Sequence, residues 1–151
     1  MTDEEASSAE NAKPRILFVC AGNTCRSVLA EYIARRKFGR LVEPSSAGLR
    51  PGTVEDADNA IYTLKSVMGV NATGHVPRDV RTVDVERADL VVAMTTQIAT
   101  EVRQLFPGLP VERLVRWRIK DPYGDDLAEY QRCAHSIYAE MKRLPMLASK
   151  L

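Results

Sequence analysis

The chain has 151 residues, 45% of them hydrophobic and 27% charged, which suits one compact globular domain with a single core. The formal charge is +1; residues 1–13 hold Asp3, Glu4, Glu5 and Glu10 against Lys13, and the remainder carries 20 basic and 16 acidic residues, mildly favourable to an anionic substrate and too few to argue for nucleic acid. No apolar run approaches the roughly 18 residues of a membrane helix and the polar N-terminus has no signal-like apolar stretch, so no membrane partner is expected and the cytoplasm is the expected location.

Residues 1–13 are expected to form a disordered polar tail and residues 14–151 a single domain. "RILFVC" (15–20) is a continuous apolar run, suited to a strand buried on both faces. From Ser27 the apolar positions Val28, Leu29, Tyr32, Ile33 and Phe38 repeat at helical spacing, with Arg35, Arg36 and Lys37 near the negative pole and Gly39 as the stop. A short strand follows in "LVEPSSAG", then a Pro51-Gly52 turn. Val54, Ala57, Ile61, Leu64 and Met68 mark a second helix closed by Gly69. "ADLVVAM" reads as another buried strand, and "TTQIATEVRQLF" as a helix with a threonine cap, stopped by Pro107 and Gly108. "VERLVRW" reads as a fourth strand and "LAEYQRCAHSIYAEMKRL" as the closing helix. Such alternation implies a parallel sheet covered by helices on both faces, a three-layer α/β sandwich with its site beyond the carboxyl ends of the strands.

Cys20 stands at one of those ends, and "CAGNTCRS" curls from it into a helix. Successive backbone N–H groups of such a loop, with a helix N-terminus behind them, form an anion cradle. Gly22 allows close backbone approach, Asn23 tolerates a left-handed conformation, and Arg26 offers paired donors to phosphate oxygens. The same field stabilises a thiolate at Cys20, aimed at phosphorus, and Ser27 can donate to that sulfur as it departs. The spacing alone arises by chance and most buried cysteines are inert; the position between a buried strand and an amphipathic helix is what singles Cys20 out. Displacing an alkoxide also needs an acid. "DPYGDD" offers Asp121, with Pro122 stiffening the loop and Tyr123 forming an aromatic wall. Asp-Pro is otherwise an ordinary turn.

Three cysteines, Cys20, Cys25 and Cys133, form no disulfide framework, and with the scattered His75 and His135 they form no zinc ligand set. Cys133 reads as a core residue of the last helix. Arg113, Arg116, Arg118 and Lys120 lead into the acid loop, either as a solvated face or as contacts for an acidic phosphoprotein.

"VCAGNTCRS" and "DPYGDD", about a hundred residues apart, resemble the low-molecular-weight protein tyrosine phosphatases, including their protein-arginine-phosphatase branch. The resemblance implies a four-stranded parallel sheet of the phosphotyrosine protein phosphatase I type and hydrolysis through a cysteinyl-phosphate. Cys20 is then the nucleophile, Arg26 binds phosphate, and Asp121 is the acid and base. The amides from Ala21 through Gly22, Asn23, Thr24 and Cys25 to Arg26 line the phosphate site, with Tyr123 beside it. It further implies a network joining Asn23 and Ser27 to Ser46 and His75, a Cys20–Cys25 disulfide that guards the nucleophile, no metal or organic cofactor, and a monomer or weak dimer. The implied partners are a phosphorylated protein and inorganic phosphate or another oxyanion. Cys25 is equally suited to packing, and His75 to an ordinary core position.

Three positions depart from the family pattern. Val28 replaces a usual proline at the helix start. Gly124 replaces a second aromatic of several tyrosine-specific members. Thr24 stands where tyrosine-specific members usually have isoleucine and the arginine-phosphatase branch has threonine. Phosphotyrosine is the first expected substrate and phosphoarginine the second; arsenate reduction and a non-catalytic phosphate-binding module are further alternatives.

Overall fold

The computed structural model describes residues 12–148; the expected N-terminal tail lies almost wholly outside them. Four parallel strands, β1 (Arg15–Cys20), β2 (Glu43–Gly48), β3 (Leu90–Ala93) and β4 (Leu114–Arg116), form one sheet in the order β2-β1-β3-β4. Helices α1 (Arg26–Phe38), α2 (Asp58–Met68), α3 (Thr96–Leu105), α4 (Leu127–Met141) and the short α5 (Pro145–Ala148) complete it. The two central strands, β1 and β3, are the continuous apolar runs of the sequence. Ile16 to Cys20 and Leu90 to Ala93 are all buried, as strands covered on both faces must be.

The connection β1-α1-β2 steps along the sheet in one direction and β3-α3-β4 in the other. Right-handed crossovers therefore set α1 and α3 on opposite faces. Helices α1, α2 and α4 pack on one another, while α3 packs on β3 and β4. Phe18 of β1 meets Trp117 with ring centroids 5.9 Å apart in a tilted contact, tying the central strand to the chain beyond β4. The carboxyl ends of β1 and β3 lie side by side where the chain reverses direction across the sheet, the place where such folds bind ligands.

Several boundaries differ from the sequence expectation. α1 begins at Arg26, one residue before Ser27, because the loop runs directly into the first helical turn with Leu29 N–H donating to Cys25 O at 2.9 Å. The second helix excludes Val54. Thr53 and Asp56 cap each other, with Thr53 N–H to Asp56 Oδ2 at 2.9 Å and Asp56 N–H to Thr53 Oγ1 at 3.3 Å, and a 3₁₀ turn over Glu55–Ala57 leads into α2. Gly69 ends α2 in the left-handed conformation at φ +64°, whereas Gly39 ends α1 at φ −63° with no left-handed cap. Thr95 caps α3 as expected, its Oγ1 accepting from Ile98 N–H at 3.1 Å.

β4 is shorter than "VERLVRW", since Val111–Arg113 behind Pro110 form a 3₁₀ turn. Its pairing nevertheless continues past Arg116: Trp117 N–H donates to Ala93 O at 2.8 Å and Ile119 N–H to Met94 O at 2.9 Å. The closing helix ends at Met141 and not at Leu144; Pro145 disfavours helical geometry at the residue before it.

Candidate active site

The loop from Cys20 to Arg26 is held open from outside. The carbonyls of Cys20, Ala21 and Gly22 accept from Leu49, Arg50 and Gly52 N–H at 3.1, 2.8 and 2.9 Å, and the Asn23 carbonyl meets His75 Nε2 at 3.0 Å. With its carbonyls turned outward, the loop turns its amides inward. Asn23 N–H donates to Cys20 Sγ at 3.2 Å, and among the described residues the amides of Ala21, Gly22, Thr24 and Cys25 donate to no protein group. Successive inward amides at the start of a helix form an anion site. Asn23 makes the curl possible at φ +55°, the only non-glycine residue with positive φ among those described.

Asn23 is also the hub behind the loop. Its Nδ2 donates to Ser27 Oγ at 2.8 Å and its Oδ1 accepts from Arg78 N–H at 2.9 Å. Ser27 Oγ in turn lies 2.8 Å from Cys20 Sγ. The amide occupies one side of the Ser27 oxygen, which leaves the serine proton free to point at sulfur. Ser46 does not join this network directly. Its hydroxyl donates to Glu31 Oε1 at 2.6 Å, and only its carbonyl connects to the loop, through the Arg78 guanidinium at 3.0 and 3.2 Å. Arg78 and Glu31 therefore complete a scaffold for which the sequence offered only Ser46 and His75. "GHVPRD" held the signal, since an arginine three residues after the histidine shares its loop.

Gly48 is required by sterics. It is the register partner of Cys20, and a Cβ there would lie 2.8 Å from both Ala21 O and Asn23 N, backbone atoms that cannot yield. Gly48→Ala is expected to destabilise the fold by about 1–3 kcal/mol, read by denaturant unfolding, and to weaken phosphate binding together with it.

Arg26 is buried and spans the site. Its Nη1 donates to Ile119 O at 3.1 Å, its Nη2 lies 3.6 Å from Asp121 Oδ2, and its buried Nε has no partner. An unpaired buried guanidinium N–H beside inward amides calls for an anion. Asp121 is half exposed, and its Oδ1 accepts from Tyr123 N–H at 3.0 Å. Tyr123 is 57% exposed, and its hydroxyl donates to Asp56 Oδ1 at 3.0 Å, so the ring stands upright as a wall. This bond raises the Tyr123 pKa and, after the Thr53 amide, helps lower that of Asp56.

The cleft so formed measures about 230 Å³. It is lined by Cys20 to Gly22, Thr24 to Arg26, Asp121 and Tyr123, together with Arg50, Gly52 and Asp56. Asn23 and Ser27 are fully buried behind it. The three cysteines differ in setting. Burial pushes the Cys25 thiol up to about 11, with Sγ 3.3 Å from Tyr130 Oη, and the Cys133 thiol up to about 12. Both stay protonated at neutral pH. Cys20 alone receives a backbone N–H and a serine hydroxyl at its sulfur. All three are free. Among the described residues no group of three His, Cys, Asp or Glu side chains is placed to hold a metal ion, and no helix is long and apolar enough to cross a membrane.

The profile of the family "Low molecular weight phosphotyrosine protein phosphatase" matches residues 15–150. The chain belongs to that family. The arsenate reductase of Brevibacillus brevis is 29% identical over 132 residues, covering 87% of this chain and 93% of the relative. Among solved structures, the low-molecular-weight protein tyrosine phosphatase of T. tengcongensis superposes with a TM-score of 0.78 at 28% identity, covering 92% of this chain and all of that one. The YwlE arginine phosphatase of Geobacillus stearothermophilus gives 0.75 at 28% identity, covering 91% and 92%. The α/β fold with its four-stranded parallel sheet is thus the fold of this family of phosphatases, and the relatives' names divide among three activities on one scaffold.

Proposed function

We propose that the protein hydrolyses phosphorylated side chains of proteins, phosphotyrosine first, through a cysteinyl-phosphate on Cys20. The observation that carries this reading is the placement of the Cys20 sulfur, met by Asn23 N–H at 3.2 Å and Ser27 Oγ at 2.8 Å on the floor of a cleft walled by Arg26 and Asp121. The inward amides and Arg26 hold the three non-bridging oxygens. The Cys20 thiolate attacks phosphorus, the bond from phosphorus to the leaving oxygen breaks, and Asp121 gives that oxygen its proton. Water then attacks phosphorus while Asp121 takes a proton back. The P–S bond breaks, inorganic phosphate leaves, and the thiolate returns to the Ser27 hydroxyl.

A second reading, phosphoarginine, is favoured by the cleft wall. Thr24 is buried in that wall, and the carboxylates of Asp56 and Asp121 border it, a setting suited to a cationic guanidinium leaving group. Arsenate reduction would need a further thiol to reach Cys20; Cys133 is buried on α4 with its sulfur facing the Lys120 carbonyl, which argues against that route.

The deciding experiment compares kcat/KM on matched phosphotyrosine and phosphoarginine peptides for wild type and Thr24→Ile. Wild-type preference for phosphotyrosine, little changed by the substitution, is expected from the first reading. Preference for phosphoarginine, shifted toward phosphotyrosine by isoleucine about tenfold or more as a lost polar contact implies, would establish the second. Hydrolysis of neither would remove both.

A further inference from the structure

We propose that Arg116, Arg118 and Lys120 form a docking strip for an acidic segment of a polypeptide substrate whose phosphorylated side chain occupies the cleft, an inference that rests on the phosphoprotein phosphatase reading above. β4 is an edge strand. From Arg116 onward its residues alternate: Trp117 and Ile119 are buried, while Arg116, Arg118 and Lys120 are exposed. The hydrogen bonds from Trp117 and Ile119 to the end of β3 keep this segment extended as far as the acid loop. Alternate residues of an extended chain lie about 6.6 Å apart on one side, so the three cations span about 13 Å and the last of them directly precedes Asp121.

Among the described residues these cations form no ion pair; Glu129, which borders the same hollow as Arg118 and Lys120, is paired with Arg132. Seven arginines among the described residues form ion pairs with acidic side chains, and none of the strip's three does. A second rim, beyond Tyr123, has the reverse charge: a hollow there is bordered by Glu55, Asp56 and Asp58. An acidic segment is drawn to the strip and repelled from that rim, so only one flank of the substrate can be acidic. The same polarity disfavours a uniformly anionic partner such as nucleic acid or a lipid surface, which would meet both rims. An extended peptide also places every second side chain on one side, matching the spacing of the strip.

The test uses three phosphotyrosine peptides of equal length. One carries glutamates two and four residues before the phosphotyrosine, one carries them two and four residues after it, and one carries glutamines throughout. At low salt, one of the two acidic peptides is expected to show a KM about 3–10-fold below the neutral peptide at unchanged kcat, the size expected of two exposed ion pairs. High salt and the double variant Arg116→Gln/Arg118→Gln should each erase the preference, while turnover of a small aryl phosphate stays at the wild-type value. Equal KM for all three peptides, equal gain from both acidic flanks, or a preference that survives in the double variant would overturn the strip. Affinity of the same peptides for Cys20→Ser, measured by fluorescence anisotropy, reads docking without turnover. A binding preference seen there alongside wild-type protein that hydrolyses no peptide would support the strip and overturn the phosphatase reading instead.

Discussion

Cys20→Ser is expected to lower kcat/KM on every phosphomonoester by roughly four orders of magnitude or more, while the protein unfolds at nearly the wild-type temperature. The substitution keeps the volume and the hydrogen-bonding pattern almost intact. A serine oxygen can still meet Ser27 Oγ and Asn23 N–H, which lie 2.8 and 3.2 Å from the present sulfur. What it loses is the proposed sulfur nucleophile, since an alcohol does not yield an alkoxide at neutral pH without an adjacent base, and no histidine borders this cleft. Phosphate binding, measured by calorimetry, should persist because the inward amides and Arg26 are unchanged. Cys25→Ser is the control. That thiol is protonated and bonded to Tyr130, outside the attack line, and its replacement should cost far less activity. Activity surviving in Cys20→Ser but lost in Cys25→Ser would move the nucleophile to Cys25 and undo the mechanism.

The legible parts of this site were those in which one local pattern fixes both backbone and chemistry. The apolar runs that became β1 and β3 declared central parallel strands because both faces are buried, and Cys20 at the end of one of them followed directly. Asn23 was readable as the residue able to adopt a left-handed turn, and it does so at φ +55°. Residues whose role depends on tertiary approach were not readable. Gly48 matters only because the loop after Cys20 folds back over it, and Asp56 only because the loop after β4 brings Tyr123 within reach. Arg78 reaches the loop through its backbone N–H, a donor every residue but proline carries, so only its place beside His75 in "GHVPRD" hinted at that contact. Ser46 shows the converse: its type matched a familiar pattern, yet its hydroxyl turned to Glu31, a buried carboxylate that Ser46 and Arg35 together satisfy. Helix ends were misplaced where capping was reciprocal, as at Thr53 and Asp56, or where a downstream proline acted at a distance, as at Pro145.

Asp121→Asn separates proton transfer from positioning. Asparagine keeps an Oδ1 to accept from Tyr123 N–H, so the loop and the Tyr123 wall should survive. It forfeits the ionic contact with Arg26 at 3.6 Å, but that carboxylate is half exposed and such pairs contribute little to stability. A general acid contributes about 10²–10⁴-fold, and the loss should scale with how badly the leaving group needs a proton. Phosphotyrosine and alkyl phosphates should slow most, and an aryl phosphate with a strongly acidic phenol least. A uniform loss across all leaving groups would mean that Asp121 only orients Arg26, and the acid would have to be sought elsewhere on the rim, first at Asp56.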